Sequence, residues 1–287
     1  MGMHPINSWM VPIDLTDRVT LMAHGGDRIE ACLAFASDAP AAQSIDWPLE
    51  KDLTWRAVQA LQPIAGESRS TGIDVAKRIP AGAGLGGGSS DAAAALWGMN
   101  RLYNLGMNVS QLMPVARTLG SDAMFSLHAV ATGGGALVGG YGERIEPIGM
   151  RSTEHLALFL PPLRCATAAV YQAFDAQATS PRRSVAADRI RALAESDRIM
   201  PESLFNDLAE AACCVEPRLG QARDDLRETL SRPIHITGSG AAMFAVAESR
   251  EDADSMASLA THATSIAALA VRVLRAPVDV IKEAGQV

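Results

Sequence analysis

The chain has 287 residues, 48% of them hydrophobic and 20% charged, with 25 basic against 32 acidic side chains and a formal charge of −7. This is a folding, globular composition, long enough for one large or two modest domains, and it excludes a disordered chain. The acidic balance and the lack of a basic run exclude bulk binding to nucleic acid or acidic membranes, though not a small anion held by backbone amides.

No charge-free apolar run approaches the roughly 18 residues of a membrane span, and Met1-Gly-Met-His4-Pro5 lacks the basic and apolar regions of a signal peptide. Cys32, Cys165, Cys213 and Cys214 form no CxxC pair, so neither a zinc site nor a disulfide framework is expected. A reducing cytoplasm is the expected setting. Three of the 25 basic residues are lysines, Lys51, Lys77 and Lys282, which leaves few candidates for any lysine-dependent step.

In chain order, Arg18–Met22 and Arg28–Leu33 read as a hairpin across Gly25-Gly26. Asp52–Leu61 has a helical pattern, and Gly72–Ile79 alternates as a strand does. A glycine segment and a helix over Ser90–Leu102 follow. Val109–Leu119 reads as a further helix with Ser110 as a candidate N-cap. A change of texture places a domain boundary near residue 150, giving units 1–150 and 151–287. In the second unit, strands are expected at His155–Leu160, Ile234–Thr237, Ala241–Ala247 and Ala268–Leu274. Helices are expected at Ala166–Ala176, Ser184–Ala194, Ser203–Cys214, Pro217–Leu230 and Glu251–His262. The alternation gives an α+β class.

The strongest chemical signal is Pro80-Ala-Gly82-Ala-Gly84-Leu85-Gly86-Gly87-Gly88-Ser89-Ser90-Asp91. A strand enters it and an alanine-rich helix leaves it. Glycines permit positive φ and close backbone approach to a ligand, and the free amides at the helix start favour an anion, most often phosphate. No lysine follows as a Walker A loop requires, and the surrounding order does not suit a dinucleotide fingerprint.

This segment resembles the phosphate loop of the GHMP small-molecule kinases. Leu119-Gly-Ser-Asp122-Ala-Met-Phe125 and Ile236-Thr-Gly238-Ser239-Gly240-Ala-Ala-Met-Phe244 are similar to the second and third motifs of that family, in order and spacing. The His4–Leu15 segment, Gly142-Glu143, Ala166–Tyr171 and Asn206-Asp-Leu208 extend the resemblance to nearly the whole chain. Within the family, this ensemble is most similar to the branch whose acceptor is a cytidine-diphosphate-linked methylerythritol. Another GHMP kinase, or a nucleotide-binding homologue without full activity, is the alternative.

The resemblance implies an N-terminal domain of the ribosomal-protein-S5 type, a ferredoxin-like C-terminal domain and a site between them. It also implies ATP and Mg²⁺, a small-molecule acceptor, no nucleic acid or membrane partner, and a monomer or weak homodimer. Asp122 would be the general base, where sequence alone also allows a cap or turn aspartate. Pro80, Gly82, Gly84, Leu85, Gly86, Gly87, Gly88, Ser89 and Ser90 would hold the nucleotide. Lys77 would lie near the nucleotide, or else be a solvated strand-edge lysine. Asp52 would stand near the adenine. Gly238, Ser239 and Gly240 would line the acceptor side, or form a plain tight turn. His4 and Tyr171 would meet the cytosine ring, Tyr171 by stacking unless it is core.

No protein metal site is expected: the other histidines, His24, His128, His155, His235 and His262, lack ligand spacing, and the Met and Trp residues read as core. Met124, where the family has proline, is expected to change only local packing. The resemblance further implies a lysine on a strand ahead of His4 that polarises the acceptor hydroxyl. The sequence starts at Met1, and a gene truncated at an internal methionine is expected over true loss of that strand. Losing such an acid–base partner would cost on the order of 10²–10⁴ in rate.

Overall fold

The structure is a computed structural model that describes residues 4–25, 29–66, 69–148, 154–177, 187–196 and 198–276. The first part contains β1 (Ile6–Met10), β2 (Arg18–Gly25), β3 (Glu30–Phe35), α1 (Leu53–Ala65), β4 (Arg69–Lys77), α2 (Gly87–Leu102), α3 (Val109–Leu119), α4 (Ser121–Thr132), β5 (Gly135–Gly140) and β6 (Arg144–Ile148).

β2 and β3 are strands, but they do not pair as a hairpin. The sheet order is β2-β4-β3, with β4 antiparallel to β2 and parallel to β3. β4 takes the centre and is the most buried of the three, with Ile73 and Val75 in the core. The diglycine signal reports a chain reversal but does not say whether a third strand comes between. α1 lies in the crossover that the parallel β3–β4 pair requires.

α1 begins where the carboxylate of Asp52 accepts the amides of Thr54 and Trp55. α3 has its expected bounds but a different cap. Asn108 accepts from the amide of Gln111, and Gln111 reciprocates in a capping box, so Ser110 is not the N-cap. α1 and α3 carry apolar stripes (Val58, Leu61; Leu112, Ala116) that pack with Leu96 and Met99 of α2 and Leu127 of α4. β1, β5 and β6 form a separate antiparallel sheet with β5 central.

The second part contains β7 (His155–Leu160), α5 (Thr167–Ala176), α6 (Ala187–Ala194), α7 (Ala209–Val215), α8 (Pro217–Leu230), β8 (His235–Ile236), β9 (Met243–Ala247), α9 (Arg250–Thr264) and β10 (Ala267–Arg272). Its strands form one antiparallel sheet in the order β10-β7-β9-β8. Phe159 and Met243 of this sheet pack with Leu219 and Leu226 of α8 and Ala260 of α9. Of the expected helix Ser184–Ala194, residues 184–186 lie outside the described residues. The helix expected from Ser203 starts only at Ala209. Asn206 spends its side chain on the loop, accepting the amide of Leu208 and donating to carbonyls across the chain.

A third, smaller apolar cluster joins the two parts. Ile79 and Ala83, which flank the start of the glycine segment, pack with Leu15, Leu158 and Leu160 and with Ala242 and Val271. The glycine segment therefore rises from a packed base. The core reading of the Met and Trp residues holds for Met99, Met124, Met243 and Met256, which are buried, and for Trp55 and Trp97, which are half-buried against the core; Met22 and Met200 are exposed, and Trp47 donates to Asp52 at 3.0 Å. Met124 is buried in α4, as a packing residue would be.

Candidate active site

β4 ends at Lys77 and the chain turns through Pro80 into the glycine segment. Gly82, Gly84 and Gly86 have φ of 70°, 75° and 68°, the region where a side chain is strained. Gly86 is the N-cap of α2 and supplies no side-chain bond, so the helix opens with Gly87 and Gly88 rather than at Ser90. The first amides of α2 therefore have no capping side chain and sit at the positive end of the helix dipole. The amide of Ser90 already bonds to Gly86, and its hydroxyl donates to the carbonyl of Gly87 at 2.8 Å. Of the two expected serines, Ser89 is the one whose hydroxyl is not committed in this way.

The segment is pinned, not splayed. A Cβ on Gly84 would lie 2.6 Å from the carbonyl oxygen of Thr237 and 2.8 Å from that of Gly240. A Cβ on Gly87 would lie 2.8 Å from Ile79 Cγ2. The amide of Ala242 donates to Ala83 at 2.9 Å. Gly238, Ser239 and Gly240 thus do form a tight turn between β8 and β9, and that turn is also the wall against which the glycine segment rests. Asn206 braces it, donating to the carbonyls of Ile236 and Gly238 at 2.8 Å each.

From the turn the contacts continue along α5. The hydroxyls of Ser239 and Thr167 are 3.0 Å apart. One helical turn on, Tyr171 lies on the same face. Its ring stacks on His4, with centroids 4.8 Å apart and an interplanar angle of 20°. Tyr171 is half-buried, not plain core. His4 is held by the carboxylate of Asp175, whose oxygens lie 2.8 and 3.0 Å from Nε2. Burial raises the pKa of Tyr171, and the charge of Asp122 raises it further.

Asp122 lies in the first turn of α4, not at a helix C-terminus. Gly142 approaches this turn so closely that a Cβ would stand 2.7 Å from Ser121 Cβ. The carboxyl is open to solvent, yet protein crowds it on enough sides that desolvation raises its pKa, against a hydrogen bond from Ser121 that lowers it.

Lys77 is not solvated. It is 4% exposed, and its Nζ lies 2.6 Å from both Asp17 Oδ2 and Asp91 Oδ2. Burial alone would depress its pKa, but the two carboxylates, Asp91 foremost, outweigh burial and raise it. Burial drives the Asp91 carboxyl up to about 7, with Lys77 opposing and the Asp17 charge adding. Asp52 is the N-cap of α1, and its two oxygens are taken by the α1 amides and Trp47.

Sequence reasoning did not single out Asp17, Asp91, Asn206, Thr167 or Asp175 as site residues. Asp91 and Asn206 stood inside motifs that carried the resemblance, which was a usable signal. Asp17 had none, because its contacts are some 60 residues away.

Among the described residues, no group of three or more His, Cys, Asp or Glu side chains could hold a metal ion, and no helix is long and apolar enough to cross a membrane. Residues 52–130 match the family described as GHMP kinases N terminal domain. The fold agrees with solved GHMP-type enzymes. A homoserine kinase from Cytophaga hutchinsonii has a TM-score of 0.69 at 18% identity, covering 93% of this chain and 89% of its own. Fold and site together define a small-molecule kinase of the GHMP class.

Relatives named 4-diphosphocytidyl-2-C-methyl-D-erythritol kinase come from Shouchella clausii and Pelotomaculum thermopropionicum. They are 31% and 32% identical over 86% and 89% of this chain and 79% and 85% of theirs. A crystal structure of 4-(cytidine 5'-diphospho)-2C-methyl-D-erythritol kinase has a TM-score of 0.70 at 30% identity, covering 94% of this chain and 91% of its own. Within its class the chain belongs to the 4-diphosphocytidyl-2-C-methyl-D-erythritol kinase family.

Proposed function

We propose that the protein transfers the γ-phosphoryl group of ATP to the 2-hydroxyl of 4-(cytidine 5'-diphospho)-2-C-methyl-D-erythritol, a step of non-mevalonate isoprenoid precursor synthesis in the cytoplasm. The observation that carries this reading is the line of contacts from Gly84 to the 237–240 turn, from Ser239 to Thr167 and, one helical turn along α5, from Tyr171 to His4. It puts an anion cradle and an aromatic ledge along one line, with the charge of Asp122 felt at the Tyr171 phenol.

In this reading the amides from Gly84 to Ser89 take the phosphates, with the segment from Pro80 to Ser90, Leu85 included, shaping the nucleotide pocket. Positioning and charge balance do most of the work in phosphoryl transfer. The acceptor oxygen bonds to the γ-phosphorus, the bridge to the β-phosphate breaks, and the hydroxyl proton passes to Asp122. A raised pKa suits a group that must take a proton near neutrality. Mg²⁺, when bound, neutralises phosphate charge. The Ser89 hydroxyl would be the protein group to help hold it, the rest of its shell coming from phosphate oxygens and water as is usual for this ion.

Tyr171 offers a ring face to the cytosine, and His4, oriented by Asp175, offers its edge. The 238–240 turn lines the acceptor side. The division near residue 150 is proposed as the domain boundary, supported by apolar clusters that draw on residues 57–130 on one side and 157–270 on the other. The proposed working form is a monomer or weak homodimer with no nucleic-acid or membrane partner.

The test is a coupled kinase assay with ATP and Mg²⁺ across the cytidyl acceptor, homoserine, mevalonate and sugar acceptors. Turnover confined to the cytidyl acceptor is expected. Turnover on another acceptor alone would overturn the substrate, and nucleotide binding without turnover on any would overturn the reaction.

A further inference from the structure

Asp17, Lys77 and Asp91 are buried together, with side-chain exposures of 1%, 5% and 5%. They are the entry and exit of the glycine segment in chemical form. Asp17 Oδ1 accepts the amides of Arg78 and Ile79 at 2.5 and 2.8 Å, the last two residues before Pro80. Asp17 Oδ2 and Lys77 Nζ then pass the connection to Asp91, one turn into α2. Strand end and helix start are thus tied by charge-assisted bonds across a segment with five glycines in seven residues, which has little conformational preference of its own. The Lys77 ammonium is already shared between two carboxylates.

We propose that Asp17, Lys77 and Asp91 form a buried strut that fixes the separation of the two ends of the glycine segment, and so sets its affinity for nucleotide phosphates without touching them. The proposal rests on the kinase reading for its ligand and on the strut for its geometry. Fixing both ends leaves little ordering to be done when phosphate arrives, and that preorganisation is what raises affinity. Lys77 and Asp91 are then positioning residues.

Asp91→Ala cuts the strut while leaving Lys77 paired with Asp17, so no lone charge is stranded. Asp91→Asn keeps an acceptor for Lys77 and is the rescue. In the ligand-free full chain, two amides report departure of the segment: Ser90, bonded to Gly86, and Ala242, bonded to Ala83. Their hydrogen exchange is expected to quicken about tenfold or more in Asp91→Ala, the scale of one lost charge-assisted bond, and to return to wild type in Asp91→Asn.

Affinity for a non-hydrolysable ATP analogue is expected to fall about tenfold in the same variant, with the KM of the acceptor unchanged and the Asn variant restored. Unchanged exchange in a folded Asp91→Ala protein overturns the strut, as does wild-type nucleotide affinity in that variant. Should Asp91→Ala not fold, Asp91→Ser is read in the same way. If wild-type protein binds no nucleotide while the exchange result holds, the kinase reading fails and the strut stands.

Discussion

Asp122 is a carboxylate in the first turn of a helix, where the dipole favours its charge, yet desolvation raises its pKa. Only the ionised form can take the proton of the acceptor hydroxyl. The acid limb of the kcat/KM profile is therefore expected to lie above the ordinary aspartate range, with activity falling as pH drops through it. Asp122→Asn is expected to cost on the order of 10²–10⁴ in kcat with nucleotide affinity kept. Steady-state kinetics across pH check both. Asp91 titrates in the opposite sense for stability. Its folded pKa of about 7 lies above its unfolded value, so the folded state binds the extra proton and stability falls as pH rises through this window. Asp91→Asn is thus expected to be more stable than wild type at pH 8, with the advantage shrinking toward pH 5 in paired melting curves. Asp122 and Ser89 were singled out in the sequence because they stand inside motifs that carry the resemblance. The buried pairing of Lys77 was not legible there, since its partners Asp17 and Asp91 are 60 and 14 residues distant.

The element that decides the site is the strand–glycine–helix unit from β4 to α2. Gly84 combines positive φ with a backbone wall at van der Waals distance or closer, so Gly84→Ala meets both strain and collision. That substitution is expected to destabilise the fold by roughly 1–3 kcal/mol and to weaken nucleotide binding at least tenfold, by melting and calorimetry; a benign Gly84→Ala would remove the contact with the 237–240 turn from the account. Helices with one apolar stripe, such as α3, α5 and α8, were legible almost to the residue. α4 was not, because Leu127, His128, Ala129 and Val130 are all buried and a helix buried all round has no amphipathic period. The β2–β3 hairpin failed for a different reason: β4, later in the chain, lies between the two strands and pairs with both, and a local turn signal does not encode that long-range pairing.

At the scale of the molecule, two large apolar clusters flank a small one that carries the glycine segment on Ile79 and Ala83. The proposed site follows the seam between them and draws on residues as far apart as His4, Gly84, Asp122, Tyr171 and Gly238. The class of fold was legible through three motifs in fixed order, while the seam itself depends on packing that no local pattern encodes. The most direct measurement is a crystal structure of the protein with a non-hydrolysable ATP analogue and the cytidyl acceptor. The account predicts phosphate oxygens about 3 Å from the amides between Gly84 and Ser89, and the acceptor 2-hydroxyl within hydrogen-bond reach of Asp122. A triphosphate seated away from those amides, or an acceptor hydroxyl out of reach of that carboxylate, would contradict it.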